Sequence, residues 1–144
     1  MRINRGYPTK VYQNAVSRLR HAGIHTVTHI IFGLPGEGNR EMMETVRLVA
    51  GCRSDGIKLQ VLQVLRGTAL AELYQKGEYR PLTYEEYRDA VIQAVTLCPD
   101  DMVLHRMTGD PPKELLLAPA WCADKKRVLG GLRQALKDNR ITIR

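Results

Sequence analysis

His25-Thr-Val-Thr-His-Ile-Ile-Phe32 runs directly into Gly33-Leu-Pro-Gly-Glu-Gly38 and then into Asn39-Arg-Glu-Met-Met-Glu-Thr-Val46. The first segment is rich in β-branched residues and halts at a cluster of turn formers, which predicts a strand followed by a tight loop. Beyond the loop, Met42, Met43, Val46, Val49 and Ala50 recur at helical spacing up to Gly51, with Asn39 as the expected N-cap. The order then repeats. Gly56-Ile-Lys-Leu-Gln-Val-Leu-Gln-Val64 alternates apolar Ile57, Leu59 and Val61 with polar Lys58 and Gln60. Gly67-Thr68 turns from it into a short helix around Leu70 and Leu73. Upstream, Pro8 stands where an N1 proline would in a helix predicted over 8–22, and Gly23 offers its C-cap.

Helix, strand, helix, strand, helix implies an α/β fold with a parallel sheet and right-handed crossovers, either doubly wound or a (β/α) barrel. Two clear strands close neither. The chain also opens in a loop before a helix, so a preceding N-terminal part is expected. A different texture starts near residue 79. Thr83-Tyr-Glu-Glu86 forms a capping box for a helix bearing Tyr87, Val91, Ala94 and Val95, ended by Cys98-Pro99. Met102 to Met107 reads as a third strand, Thr108-Gly-Asp-Pro-Pro112 as a loop, and Val128, Leu129, Leu132, Ala135 and Leu136 as the stripe of a last helix entered near Trp121.

At 144 residues and 44% hydrophobic content, the chain supports one ordinary core. No apolar run approaches the ~20 residues that span a bilayer, and Met1 to Lys10 lacks a signal-peptide core, so no membrane contact and a cytoplasmic location are expected. Cys52, Cys98 and Cys122 are too far apart for a disulfide framework or a self-contained metal knot. The formal charge of +7 is compatible with nucleic acid or an anionic substrate, yet its Lys and Arg residues are interleaved with acids, as on an ordinary solvated surface.

Ligands of parallel α/β folds gather at the C-terminal ends of strands, which points to the loops after Phe32 and Val64. Gly33 to Gly38 permits close backbone approach to a ligand, but no Lys-Ser/Thr follows, so it is no P-loop, and a purely structural turn would use the same residues. Lys58 and Gln60 share the polar face of their strand, which suits either a cavity or a wetted edge. His29 fits a hydrogen-bonded core position or a catalytic base. No nucleophile triad or paired-carboxylate site is evident, so the catalytic residues are unknown.

Taken together, Ile3-Asn-Arg-Gly6, Arg20-His-Ala-Gly-Ile24, Thr28-His-Ile-Ile-Phe-Gly-Leu-Pro-Gly-Glu37, Asp55-Gly-Ile-Lys-Leu59 and Arg66-Gly-Thr68 resemble the radical S-adenosylmethionine (SAM) superfamily. His105-Arg-Met-Thr-Gly-Asp110 and Leu117-Ala-Pro-Ala-Trp121 extend the likeness to YhcC-type proteins, relatives of the oxygen-independent coproporphyrinogen oxidases and the Elongator catalytic subunit. The resemblance implies the C-terminal part of a partial (β/α)6 barrel, with residues 1–78 contributing its fifth and sixth strands and 79–144 an α-rich family extension. In such enzymes an N-terminal cysteine triplet holds a [4Fe–4S] cluster, and SAM bound to it is cleaved reductively to a 5′-deoxyadenosyl radical that abstracts hydrogen. Cysteines at that spacing are absent here, so the parent is expected to carry the metal and this chain to bind no metal and be inactive alone.

The family's fifth-strand pattern G-x-I-x-G-x-x-E falls on His29, Ile31 and Gly33, with Gly36 in the acid position and Glu37 one residue late. The resemblance thus makes Ile31 and Gly33 neighbours of the SAM adenine, places Leu65, Gly67 and Thr68 beside the nucleoside, and turns Asn4 and Arg5 toward the methionyl carboxylate. Implied partners are the missing half of the barrel and an unknown substrate, with RNA as one alternative because relatives act on tRNA. Exposed strand edges also allow self-association.

Overall fold

The computed structural model describes residues 6–142. Strands β1 (Val27–Phe32) and β2 (Gly56–Val61) lie parallel, His29 opposite Lys58 and Ile31 opposite Gln60. The expected third strand forms as β4 (Val103–Arg106) and joins the other side of β2, also parallel, giving the order β1-β2-β4. The α/β expectation therefore holds, and these strands form an open sheet rather than a closed barrel.

Three helices cover one face of this sheet. They are α2 (Asn39–Gly51), α4 (Tyr84–Leu97) and α5 (Lys125–Asp138). Because side chains alternate across a strand, Ile30, Phe32, Ile57, Leu59 and Val61 all point into that layer, where they pack with Met43, Val46, Tyr87, Val91 and Leu132. The helix α1 (Thr9–His21) lies toward the free side of β1, its Tyr12 hydroxyl 2.8 Å from that of Thr28. At the amino ends of the strands, the Thr26 amide donates to Asp55 (2.7 Å) and the Ser54 hydroxyl to the Thr26 carbonyl (3.1 Å), joining β1 to β2 below their ladder.

Several boundaries differ from the sequence reading, each for a local reason. Pro8 is the extended N-cap of α1 instead of its first helical residue. Gly38, not Asn39, caps α2, and its free amide is taken up by the Glu41 carboxylate at 2.9 Å. The run from Gly56 to Val64 is not one strand. After Val61 the chain leaves the parallel sheet, and β3 (Val64–Leu65) pairs antiparallel with β5 (Leu116–Ala118). The short helix α3 (Ala69–Gln75) follows, capped by Thr68, whose hydroxyl accepts from the Ala71 amide. A 3-10 turn at Ala120–Ala123 precedes α5, which begins at Lys125 with Asp124 as its cap. No helix among the described residues is long and apolar enough to cross a membrane.

The capping box at α4 forms as the sequence predicts. Glu86 accepts from the Thr83 amide (2.8 Å) and receives both guanidinium nitrogens of Arg80 (2.9 and 2.7 Å). The Arg80 hydrogen bonds, followed by that of the Thr83 amide, hold its carboxyl down at about 2, against an ordinary 4.5. A depressed carboxylate stabilises the fold above its unfolded value and ceases to do so as it protonates. Glu86→Gln should therefore lower stability at neutral pH by roughly 1 kcal/mol, a figure scaled down for the solvent exposure of the pair. Urea midpoints recorded across pH should show the difference from wild type shrinking as pH falls from 4.5 toward about 2.

Candidate functional site

The sheet face opposite the helices collects the polar strand residues. His29 on β1 and Lys58 and Gln60 on β2 point the same way, because their positions share parity and the two strands are in register. Ile31 stands with them, 37% exposed where a barrel interior would enclose it. His105 of β4 joins this face. A Cβ on Gly56 would lie 2.5 Å from its ring, so the imidazole rests directly over that glycine. Lys58 makes no ion pair among the described residues.

At the carboxyl ends of β1 and β2 the chain after residue 78 folds back over the strands. Gly33, with φ +86°, ends β1, and its carbonyl accepts the Tyr79 hydroxyl at 2.7 Å. Burial pushes that phenol up to about 12, so it stays a hydrogen-bond donor at any physiological pH. A Cβ on Gly33 would lie 3.0 Å from Leu82, whose carbonyl accepts the Trp121 indole N–H at 3.1 Å. Further along the rim, a Cβ on Gly109 would lie 2.7 Å from Gln63 Nε2 and 2.8 Å from the Gln60 carboxamide carbon. Tyr87, buried in the core, secures this second loop by donating to the Met107 carbonyl at 2.7 Å.

The candidate residues thus divide into three groups. His29, Ile31, Lys58 and Gln60 meet on one face, with Gly33 at its upper edge. Leu65, Gly67 and Thr68 belong to the β3–α3 unit. Leu65 pairs with Leu116, and the Thr68 hydroxyl is engaged by the Leu65 carbonyl and the Ala71 amide. Asn4 and Arg5 lie outside the described residues. Glu37, one place beyond the acid position of the strand pattern, closes a turn onto the Leu34 carbonyl (3.0 Å). Burial, and then repulsion from Glu41, raise its carboxyl. It lines a groove of about 1140 Å³ along the free side of β1, walled by Tyr12, Val16 and Leu19 of α1 and Met42 and Leu48 of α2.

Sequence reasoning did not single out Gln63 or Tyr79, and it quoted His105 and Gly109 within a family-like segment without making them site residues. Tyr79 and Gly109 come to the site through contacts 46 residues distant in the first case and across the sheet in the second. Period-two alternation would send Gln63, three residues after Gln60, to the opposite face; the chain leaves the sheet after Val61, and the two amides meet at Gly109.

Chemically, the open face offers hydrogen-bond donors, imidazoles and an unpaired ammonium, which suit a polar ligand edge. These groups suit a polar ligand of nucleoside or amino-acid type. An iron–sulfur cluster fits no part of the described residues. Such clusters are held by thiolates grouped around the irons, and no group of three His, Cys, Asp or Glu side chains converges there. Burial also raises the thiols of Cys52 and Cys98, and takes Cys122 to about 11, favouring the protonated form.

Against this geometry, a family profile described as the Radical_SAM C-terminal domain matches residues 54–138. YtqA of Bacillus subtilis (strain 168) is 38% identical over 94% of this chain and 42% of its own length. Protein YhcC of Escherichia coli (strain K12) is 32% identical over 86% of the chain and 40% of its own length. The chain therefore spans less than half of either relative. The archaeal Elp3 of Methanocaldococcus infernus, solved with an N-terminal deletion, superposes with a TM-score of 0.81 over 98% of this chain and 33% of its own, at 18% identity, a likeness of fold.

Gly33→Ala should destabilise the chain by about 1–2 kcal/mol, since an L-residue at this positive φ is strained even before it meets Leu82. Urea unfolding measures the loss. An unchanged midpoint would mean that residue 33 does not hold this left-handed conformation at the strand end.

Proposed function

The chain belongs to the family of Radical_SAM C-terminal domains, and from that premise we propose that it is the C-terminal portion of a radical SAM enzyme. In this reading it contributes one wall of the SAM cleft. The observation that carries the reading is the open parallel face. A parallel sheet is ordinarily covered on both sides, whereas here His29 and Ile31 stand exposed and Lys58 and Gln60 only half-buried on the face opposite the helices. The rest of the parent's barrel would pair with the free edge of β1, enter the groove between α1 and α2, and bring the cluster. SAM, when bound there, supplies the hydrogen-abstracting chemistry.

The residues of this chain then act by position. Ile31 offers an exposed apolar surface to a flat ring, while Gly33, having no side chain, lets Leu82 pack over the end of β1. Lys58 and Gln60 offer a charge and a carboxamide to polar substituents on the same ligand. The Tyr79 and Leu82 segment excludes water from the strand end, which protects a reactive species from side reactions. The acceptor of the abstracted hydrogen and the substrate lie beyond these residues.

Reconstitution under anaerobic conditions with iron and sulfide tests the assignment. Full-length YtqA should gain a cluster with its visible absorption and cleave SAM, while the 144-residue chain gains none. A stoichiometric cluster on this chain alone would overturn the division of labour.

A second reading has its own observation. The outward face of α5 carries Lys126, Arg127, Arg133 and Lys137, with Asp138 as the helix's one acid. Such a face could bind RNA. If it does, tRNA affinity should fall steeply between about 50 and 200 mM salt, and filter binding would reveal the slope. Affinity indifferent to salt, or no binding, removes this reading.

A further inference from the structure

Among the described residues, one buried side-chain nitrogen has no hydrogen-bond partner, and it is Nε2 of Gln63. A buried amide N–H left unmatched costs stability, so native folds seldom keep one without a use. Its surroundings are specific. Gln63 follows the carboxyl end of β2, and its Nε2 and the Gln60 carboxamide crowd the place where Gly109 lacks a side chain. Any other residue at 109 would displace both amides. On the open face, Lys58 stands two residues before Gln60 with no carboxylate paired to it.

The segment that shuts Gln63 in is Thr108–Pro112. One end is fixed firmly, by the buried Tyr87 hydroxyl on the Met107 carbonyl. At the other end the Pro112 carbonyl accepts the Leu115 and Leu116 amides, and the middle makes the exposed pair of Lys125 and Asp110, at 2.9 Å with the two side chains 42% and 62% exposed. Pairs this exposed contribute little. Thr108 is 1% exposed and Gly109 and Pro111 are buried, so the loop is packed down along its length and Asp110 is the part restrained by a surface pair.

We infer that Gln63 Nε2 is the donor of a carboxylate-binding pocket beneath the Thr108–Pro112 loop, completed when the loop lifts and a ligand carboxylate enters between Gln63 and Gly109. Lys58 supplies the attracting charge. The inference rests on the strand ends being the ligand site proposed above. A carboxylate could come from SAM or from the substrate, and the experiment separates the two.

The test is a titration of the ¹⁵N-labelled 144-residue chain, following the side-chain amide pairs of Gln60 and Gln63 and the Gly109 backbone amide. Sodium acetate is compared with sodium chloride at equal ionic strength, and SAM is titrated separately. Acetate should move these signals saturably where chloride does not. A response to SAM as well assigns the carboxylate to the cofactor, and a response to acetate alone assigns it to the substrate. In Gln63→Met the response of Gln60 and Gly109 should weaken about tenfold, the loss of one charge-assisted hydrogen bond. Lys125→Gln should strengthen it. Simple charge attraction predicts the reverse, since the variant removes a positive charge. Signals that stay still with acetate and SAM in both wild type and Lys125→Gln, or an undiminished response in Gln63→Met, overturn the pocket. A cluster failure in full-length YtqA would sink the enzyme reading and leave this titration untouched.

Discussion

The ladder between Val27–Phe32 and Gly56–Val61 sets the terms for everything else in the chain. In-register parallel pairing sends residues of one parity to one face, so a single set of hydrogen bonds sorts Ile30, Phe32, Ile57, Leu59 and Val61 from His29, Ile31, Lys58 and Gln60. The first set is sealed under α2, α4 and α5. The second faces away from the helices, with His29 and Ile31 exposed and Lys58 and Gln60 half-buried, which is the physical origin of the candidate cleft. Slipping the second strand by one residue would exchange its two faces and bury Lys58 in the core.

One aromatic hydrogen-bond donor ties the segment beyond residue 78 to this frame, and two more tie that segment to itself. Tyr79 reaches Gly33, Tyr87 reaches Met107, and Trp121 reaches Leu82. Each places a large ring in apolar surroundings while its polar atom satisfies a loop carbonyl that would otherwise be left without a partner. The rim of the candidate site is therefore made of loops positioned from below by the core. Both glycines at the rim, Gly33 and Gly109, stand where these loops come closest to the strands.

Much of this was legible in the residues. Period-two alternation in Gly56 to Val61 and the β-branched run before Phe32 gave the first two strands and the shared face of Lys58 and Gln60, whereas the register that brings His29 to that face came with the structure. Thr83 and Glu86 gave the start of α4. What escaped was non-local. Leu116–Ala118 is too short to declare itself a strand and forms because Val64 and Leu65 have left the main sheet to meet it. The Gln60–Gln63–Gly109 contact depends on a loop folding back over a strand separated from it by two helices, and no periodicity carries such information. Thr68 was placed by family likeness beside a nucleoside, and its hydroxyl serves as the cap of α3.

Trp121 is the chain's single tryptophan, and it lies 5.3 Å from the ring of Tyr87 and 5.7 Å from that of Tyr84 while its N–H holds the Leu82 carbonyl. The molecule consequently carries its own optical gauge. Ultraviolet light absorbed by those two tyrosines is handed to one indole, and the colour of the indole's emission depends on whether Leu82 remains seated on the end of the first strand. Seating of the loop can thus be followed in time, without a label, by the emission of one residue.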